Sequence, residues 1–396
     1  GSALSATEQV SLSIEGTGFS VSDVDEAGSG ATATLNVGEG AITVVIGDSG
    51  VTIDSGNGTG TVTVSGTIAQ INSLLNDTST GTITYLNSSD TPSASTTFTV
   101  TVNDSGNTGT DPGLTGDGSS EEGTKSQTIN LTATNDDPTN AGSLPTDIAV
   151  TEDVSSNIDL SAIDLSDIDA GGGSLTVTLT TSTGGNISAA AGTGITIGGT
   201  STARTLTGSV TDLNNYLNTA SNLTYLHGTP LTNGDNADTI QVNVNDNGNT
   251  GTGGGTNIDL GTVNVDIGAV NDAPVNTVPG TQTIAEETST GISGISIADV
   301  DAAAANLTTR LQVSNGIVNV TLSGSATISA GSNGTADMTV QGSVTDINAT
   351  LASLTYTGNT NVVGTAADTL TVTTNDLGNT GSGGAKQDAD NIQIDI

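Results

Sequence analysis

The sequence predicts an all-β protein of three tandem antiparallel β-sandwich domains, each with one short capped helix, arranged end to end. Three observations carry that expectation: a repeat of domain length, period-two alternation of apolar residues with Thr or Ser, and one segment per repeat with helical apolar spacing. The repeat is plainest in three loops, "TVNDSGNTGT" at Thr101 to Thr110, "NVNDNGNTGT" at Asn243 to Thr252 and "TTNDLGNTGS" at Thr373 to Ser382. Their Asn103, Asn245 and Asn375 recur at roughly 130–140 residues, far beyond the 20–50 of a solenoid, so each unit is domain-sized. A chain of 396 residues also exceeds what one core usually serves.

Units one and two close with "NLTATNDDPTN" (Asn130 to Asn140) and "DIGAVNDAPVN" (Asp266 to Asn276). Pro138 and Pro274 remove a backbone donor and favour extended chain before them. The expected domains are 1–137, 138–273 and 274–396. Within them "ATATLNV", "AITVVIG" and "TVTVSGT" in unit one, "SLTVTLTTS" and "TIQVNVND" in unit two, and "GIVNVTLSG" and "TLTVTTND" in unit three read as strands. Gly, Asn and Asp break them at short intervals, which suits a sandwich of roughly seven strands per unit.

The helical segments are "TIAQINSLL" (Thr67 to Leu75), "SVTDLNNYL" (Ser209 to Leu217) and "SVTDINATL" (Ser343 to Leu351). Each opens on Thr or Ser with Gln70, Asp212 or Asp346 three residues later, the spacing of a reciprocal capping box. Val344, Ile347, Leu351 and Leu354 fall on one face, so a short helix should lie on each sandwich and lead into the strand of Tyr85, Tyr225 or Tyr356.

Composition narrows function. Forty-two acids against four bases give a net charge of −38, whose self-repulsion opposes compaction unless cations relieve it. Nucleic acid and anionic membrane are poor partners for such a surface. No cysteine is present, which excludes disulfides and thiolate metal sites. No apolar run reaches membrane-span length, so direct membrane insertion is not expected. The opening "GSALSATEQV" lacks Met and a signal peptide and reads as an excised segment.

The acids recur in a pattern. Unit two brings linker residues Asn135, Asp136 and Asp137, then Asp167 and Asp169 of "SDID", and Asp246 of the loop; unit three brings Asn271 and Asp272, Asp299 and Asp301 of "ADVD", and Asp376. Calcium takes six to eight oxygens from several chain segments. On an extended D-x-D both carboxylates would face one ion while the middle Val or Ile faces the core.

With "TNDDP" and "VNDAP" after the last strand, D-x-D further on, and the "VTVND", "VNVND" and "VTTND" strand ends, all three units resemble the bacterial cadherin-like repeats of long surface adhesins, including RTX-type adhesins. The resemblance implies a cadherin-like or Ig-like sandwich and calcium held at the junction of consecutive domains. Carried over, the first junction would use Glu8, Asn135, Asp136, Asp137, Asp167, Asp169 and Asp246. The second would use Glu152, Asn271, Asp272, Asp299, Asp301 and Asp376. The D-R-E motif of animal cadherins has no counterpart here, and Ala273 stands where the first linker has Asp137. Asp23, Asp25 and Asp104 at one end, and Glu286 and Glu287 at the other, are half-sites expected to bind metal weakly or not at all.

The resemblance implies an extracellular, cell-surface protein whose partners are the neighbouring repeats of its own chain. A glycan-binding, homophilic, surface-layer or filament module is the alternative, although aromatic platforms for sugars are scarce with no Trp, two Phe and four Tyr. Catalysis needs one cleft that separates the pKa values of its acids, whereas these pairs repeat in every unit. The sole histidine, His227, aligns with Asn87 and Gly358 and reads as a surface loop residue. Gly-rich loops without Lys are not phosphate loops.

Overall fold

The computed structural model describes residues 2–23, 28, 30–104, 122–228 and 232–396. Asp25 and most of the first Asn-Asp-Gly loop lie outside them. Three separate apolar cores form, one from residues between Ala6 and Ile129, one between Ile148 and Ile267, and one between Ile284 and Ile394. The alternation predicted it: in Ala31–Val37, Leu175–Thr181 and Leu307–Gln312 every second residue is buried.

Each unit stacks a six-stranded sheet on a three-stranded one. In unit one the larger sheet runs in the order Leu4–Thr7, Glu122–Thr132, Ser95–Asn103, Ala31–Val37, Thr61–Gly66 and Thr52–Ser55. The smaller sheet is Leu12–Ser13, Thr82–Leu86 and Ala41–Val45. Units two and three repeat both orders. Within each larger sheet pairing is antiparallel with one exception: the edge strand lies parallel to the last strand of the unit, as Leu4 to Ile129, Asp147 to Asn264 and Gln282 to Ile394. Units two and three each add a pair of short strands, Thr139–Asn140 with Leu165–Ser166 and Val275–Thr277 with Ser296–Ala298, so the counts among the described residues are nine, eleven and eleven.

The three helices are α1 (Ile68–Leu75), α2 (Val210–Leu217) and α3 (Val344–Leu351). Thr67, Ser209 and Ser343 each accept the backbone N–H of the residue three positions on. The box is reciprocal only in α1, where Gln70 Oε1 accepts the Thr67 N–H at 2.8 Å. Asp is one methylene shorter, so Asp212 takes the Ser209 hydroxyl instead and Asp346 takes Ser325.

Each helix leads to a fully buried Tyr. The Tyr225 and Tyr356 hydroxyls donate to Asp238 Oδ2 at 2.7 Å and Asp368 Oδ2 at 2.8 Å. Asp238 also accepts the N–H groups of Ser182, Thr183, Gly185 and Thr239. Burial opposes its ionisation, but Tyr225, Ser182 and the amides outweigh it and hold its pKa down to about 2. Unit one has Thr96 at this position. His227 is not at the surface: it is 1% exposed, beside the Tyr225 ring and 3.4 Å from the Thr183 hydroxyl.

Candidate functional site: the two junctions

Each linker is fastened to the loop of the unit that follows. Asn135 N–H donates to Thr252 O at 3.1 Å and Thr252 N–H to Ala133 O at 3.0 Å; the second junction repeats this with Asn271 to Ser382 at 2.8 Å and Ser382 to Ala269 at 2.9 Å. The close approach explains the last glycine of N-D-x-G-N-T-G. Gly251 has φ +86°, and a Cβ there would sit 2.3 Å from the Thr134 carbonyl carbon; Gly381, at φ +85°, would meet Asn271 N at 2.6 Å.

The junction also gathers the predicted acids. Glu8 Oε1 accepts both the N–H and the hydroxyl of Thr134, at 2.8 and 2.6 Å. Glu152 Oε2 accepts Val270 N–H at 3.2 Å, the equivalent contact. Asp136 N–H donates to Asp169 Oδ2 and Asp272 N–H to Asp301 Oδ2, both at 3.0 Å. Asn135 Nδ2 donates to Asp246 Oδ2, and Asn271 Nδ2 to Asp376 Oδ2. Upstream glutamate, linker, D-x-D and loop aspartate therefore meet at both junctions.

The D-x-D segments are turns rather than extended chain. Asp167 Oδ1 accepts the N–H groups of Asp169 and Ala170, and Asp299 Oδ1 those of Asp301 and Ala302. The middle residues therefore point outward, with Ile168 59% and Val300 38% exposed, contrary to the core-facing expectation. The turn leaves the second oxygen of each leading Asp without a donor.

The same holds for neighbouring side chains. Among the described residues, eight buried side-chain N or O atoms lack a hydrogen-bond partner. Seven are acceptor oxygens at the two junctions: Glu8 Oε2, Asn135 Oδ1, Asp136 Oδ2 and Asp167 Oδ2 at the first, and Glu152 Oε1, Asn271 Oδ1 and Asp299 Oδ2 at the second. The eighth, the Tyr85 hydroxyl, belongs to the unit whose Asp is replaced by Thr96. A buried acceptor without a donor costs about 1–3 kcal/mol. Seven of the eight such costs among the described residues thus fall at the two junctions.

The titration behaviour agrees. Burial, and then the Asp169 carboxylate beside it, push Asp167 up to about 6; burial and Asp301 push Asp299 up to about 7. Asp136 is raised by burial and then by Asp90, Asp169, Glu8 and Asp137. Burial works against Asp246 too, but the amides of Gly248, Asn135 and Gly255 hold its carboxyl low. No three His, Asp or Glu side chains among the described residues form a metal-holding group by themselves. Asn side chains interleave with the acids, and backbone amides already occupy oxygens of Asp169 and Asp246.

The remaining predicted residues lie at the rim of the first junction or away from both. Asp137 is exposed and accepts the Thr256 hydroxyl at 2.9 Å. Glu286 and Glu287 are exposed and accept Asn361 N–H and the Thr360 hydroxyl. Asp104 is 6% exposed, and Asp25 lies outside the described residues.

Two features escaped the sequence. Asp90 exerts the largest charge effect on Asp136 and is tied to the residue after Glu8 by Gln9 Nε2 at 2.7 Å. An asparagine on each helix also grips the chain two residues before the D-x-D. Asn72 bonds both the N–H and C=O of Val21, Asn214 those of Leu165, and Asn348 those of Ile297, all at 2.7–2.9 Å. Recurrence at the same helix position was the available signal.

No protein-family model and no curated protein matches this chain. Among solved structures it is similar to protocadherin gamma B2 extracellular cadherin domains 3–6, at 15% identity and TM-score 0.34 over 100% of this chain and 71% of that one. It is also similar to mouse cadherin-23 domains EC22–24, at 13% identity and TM-score 0.35 over 100% and 95%. A titin I-band fragment, I67–I69, matches at 7% identity and TM-score 0.22 over 93% and 94%. At these values the likenesses carry no functional inference. The β-sandwich architecture stands on the strand pairing itself. No helix among the described residues is long and apolar enough to cross a membrane.

Proposed function

We propose that this chain is a calcium-rigidified extender segment of a large bacterial cell-surface adhesin or biofilm matrix protein, extracellular and without catalytic activity. Its units, divided near residues 137 and 273, act as struts, and each linker is stiffened through ligands drawn from both neighbours. The observation that carries the reading is the set of seven donorless oxygens, which coincides with the junction residues expected from sequence.

Bound calcium supplies two positive charges and a demand for six to eight oxygens. Glu8, Asn135, Asp136 and Asp167 would meet it at the first junction, and Glu152, Asn271 and Asp299 at the second, with Asp169, Asp246, Asp301 and Asp376 completing the acid set. The chain's own contribution is preorganisation. Thr134 holds one oxygen of Glu8, the Asx turn aims Asp167 Oδ2, and Gly251 lets the linker lie on the loop. The glutamate comes from the upstream unit and the D-x-D from the downstream one, so a shared cation resists bending between them.

Melting the chain in calcium and then in chelator, beside Asp167→Ala plus Asp169→Ala, tests this. Calcium should raise the melting temperature of the parent chain, and the double variant should lose the rise at the first junction. An unchanged melting temperature on chelation would remove the calcium reading.

A further inference from the structure

The D-x-D turn presents a mechanical problem. Its middle residue is exposed and does not anchor it, and its leading Asp is bonded to amides of the same turn, Asp169 and Ala170 or Asp301 and Ala302. Something else must hold Asp167 and Asp299 in place. The residue two positions earlier, Leu165 or Ile297, is clasped from two sides. On one side lies the linker, with Asn140 opposite Leu165 and Asn276 opposite Ile297 in short antiparallel pairs. On the other lies the helix, whose Asn214 or Asn348 side chain accepts the backbone N–H through Oδ1 and donates to the backbone C=O through Nδ2. The amide thus imitates a neighbouring strand where a helix, not a strand, is present.

We propose that Asn214 and Asn348 are positioning residues for the calcium sites: each short helix is a clamp that fixes the lead-in to the D-x-D turn and so sets the affinity of the junction upstream of its own unit. This rests on the calcium reading above. Asn72 makes the same two bonds to Val21, at 2.8 and 2.7 Å, ahead of Asp23. The clamp is thus present in every unit, and one amide is matched to one peptide group in each. An ordinary helix-surface Asn would point to water; here the helix buries Ile71, Leu74 and Leu75, or their equivalents, on the face beside it. Removing a partner that orients a metal ligand typically lowers affinity by about 10–100-fold, and the same range is expected here.

The test uses the whole chain and follows amide hydrogen exchange at residues 133–137 and 269–273 as calcium is raised. Asn214→Ala should move the calcium midpoint for protection of 133–137 upward by about tenfold or more and leave that of 269–273 in place. Asn348→Ala should do the converse. Amides of the Leu175–Thr181 and Leu307–Gln312 strands report whether the units remain folded. If Ala unfolds a unit in chelator, Asn214→Ser, a short neutral polar side chain that cannot make both bonds, should still fold and shift the same midpoint in the same direction. Unchanged midpoints in folded variants, or equal shifts at both linkers, would overturn the clamp while leaving calcium binding intact. Absence of calcium-dependent protection in the parent chain would overturn both.

Discussion

Replacing Asp167 with Asn should stabilise unit two without calcium and destabilise it with calcium. Its Oδ1 accepts Asp169 and Ala170 N–H groups, which Asn can also do, while Oδ2 is buried without a donor. Burial and Asp169 raise its pKa from 3.8 to about 6. Each pH unit of that rise corresponds to about 1.4 kcal/mol, so keeping Asp167 ionised in the fold would cost about 3 kcal/mol if fully shielded. Asp167 is half-buried, and solvent screening reduces the figure to about 1 kcal/mol. In chelator at pH 7.5 the Asn variant should therefore melt about 3 °C higher. At calcium a hundredfold above the dissociation constant the parent gains about 2.7 kcal/mol, and the variant, short of a ligand, should melt below it. A carboxyl that titrates higher in the folded than in the unfolded chain weakens the fold as pH rises from about 4 to about 6, so the chelator gain should vanish below pH 4. The assay is calorimetric melting in both conditions across pH. Equal destabilisation with and without calcium would mean that Asp167 is no calcium ligand and carries no burial cost.

Asp238→Asn replaces an acceptor that holds four backbone amides and the Tyr225 hydroxyl, and should cost unit two about 2–4 kcal/mol in urea unfolding. Because the parent carboxyl is held down to about 2, its stabilisation is present above pH 4 and lost as pH falls toward 2, whereas the variant should lack that acid transition. The two junctions should also differ. Asp90 and Asp137 add carboxylates at the first, while at the second Ala273 replaces one and Asn233 already donates to Glu152 at 3.4 Å. Titration calorimetry should resolve a tighter and a weaker phase, and Asp90→Asn plus Asp137→Ala should draw them together; one phase in the parent chain would contradict this.

The fold was legible because its signals are local. Alternation in Ala31–Val37 and Leu175–Thr181 places one face inside, and Thr67, Ser209 and Ser343 announce their helices. The parallel pairing of the first strand was hidden, since nothing in Leu4–Thr7 or Asp147–Thr151 encodes which edge it joins. The D-x-D was assigned the wrong geometry because period-two reasoning ignores the tendency of Asp to cap amides two and three residues on. Asp90 acts on Asp136 through its charge, and the helix asparagines bond across 49 to 51 residues of chain, which no spacing rule reaches. His227 was placed at the surface from its loop context, but its ring lies against the Tyr225 side of the core.

On the proposed function, the donorless junction oxygens are calcium ligands. A crystal structure of the chain grown in calcium tests it most directly. An ion is expected at each junction, with Glu8, Asn135, Asp136 and Asp167 oxygens around the first and Glu152, Asn271 and Asp299 oxygens around the second, at about 2.3–2.6 Å. Water alone among those oxygens at saturating calcium, with the linkers in the same conformation, would contradict it.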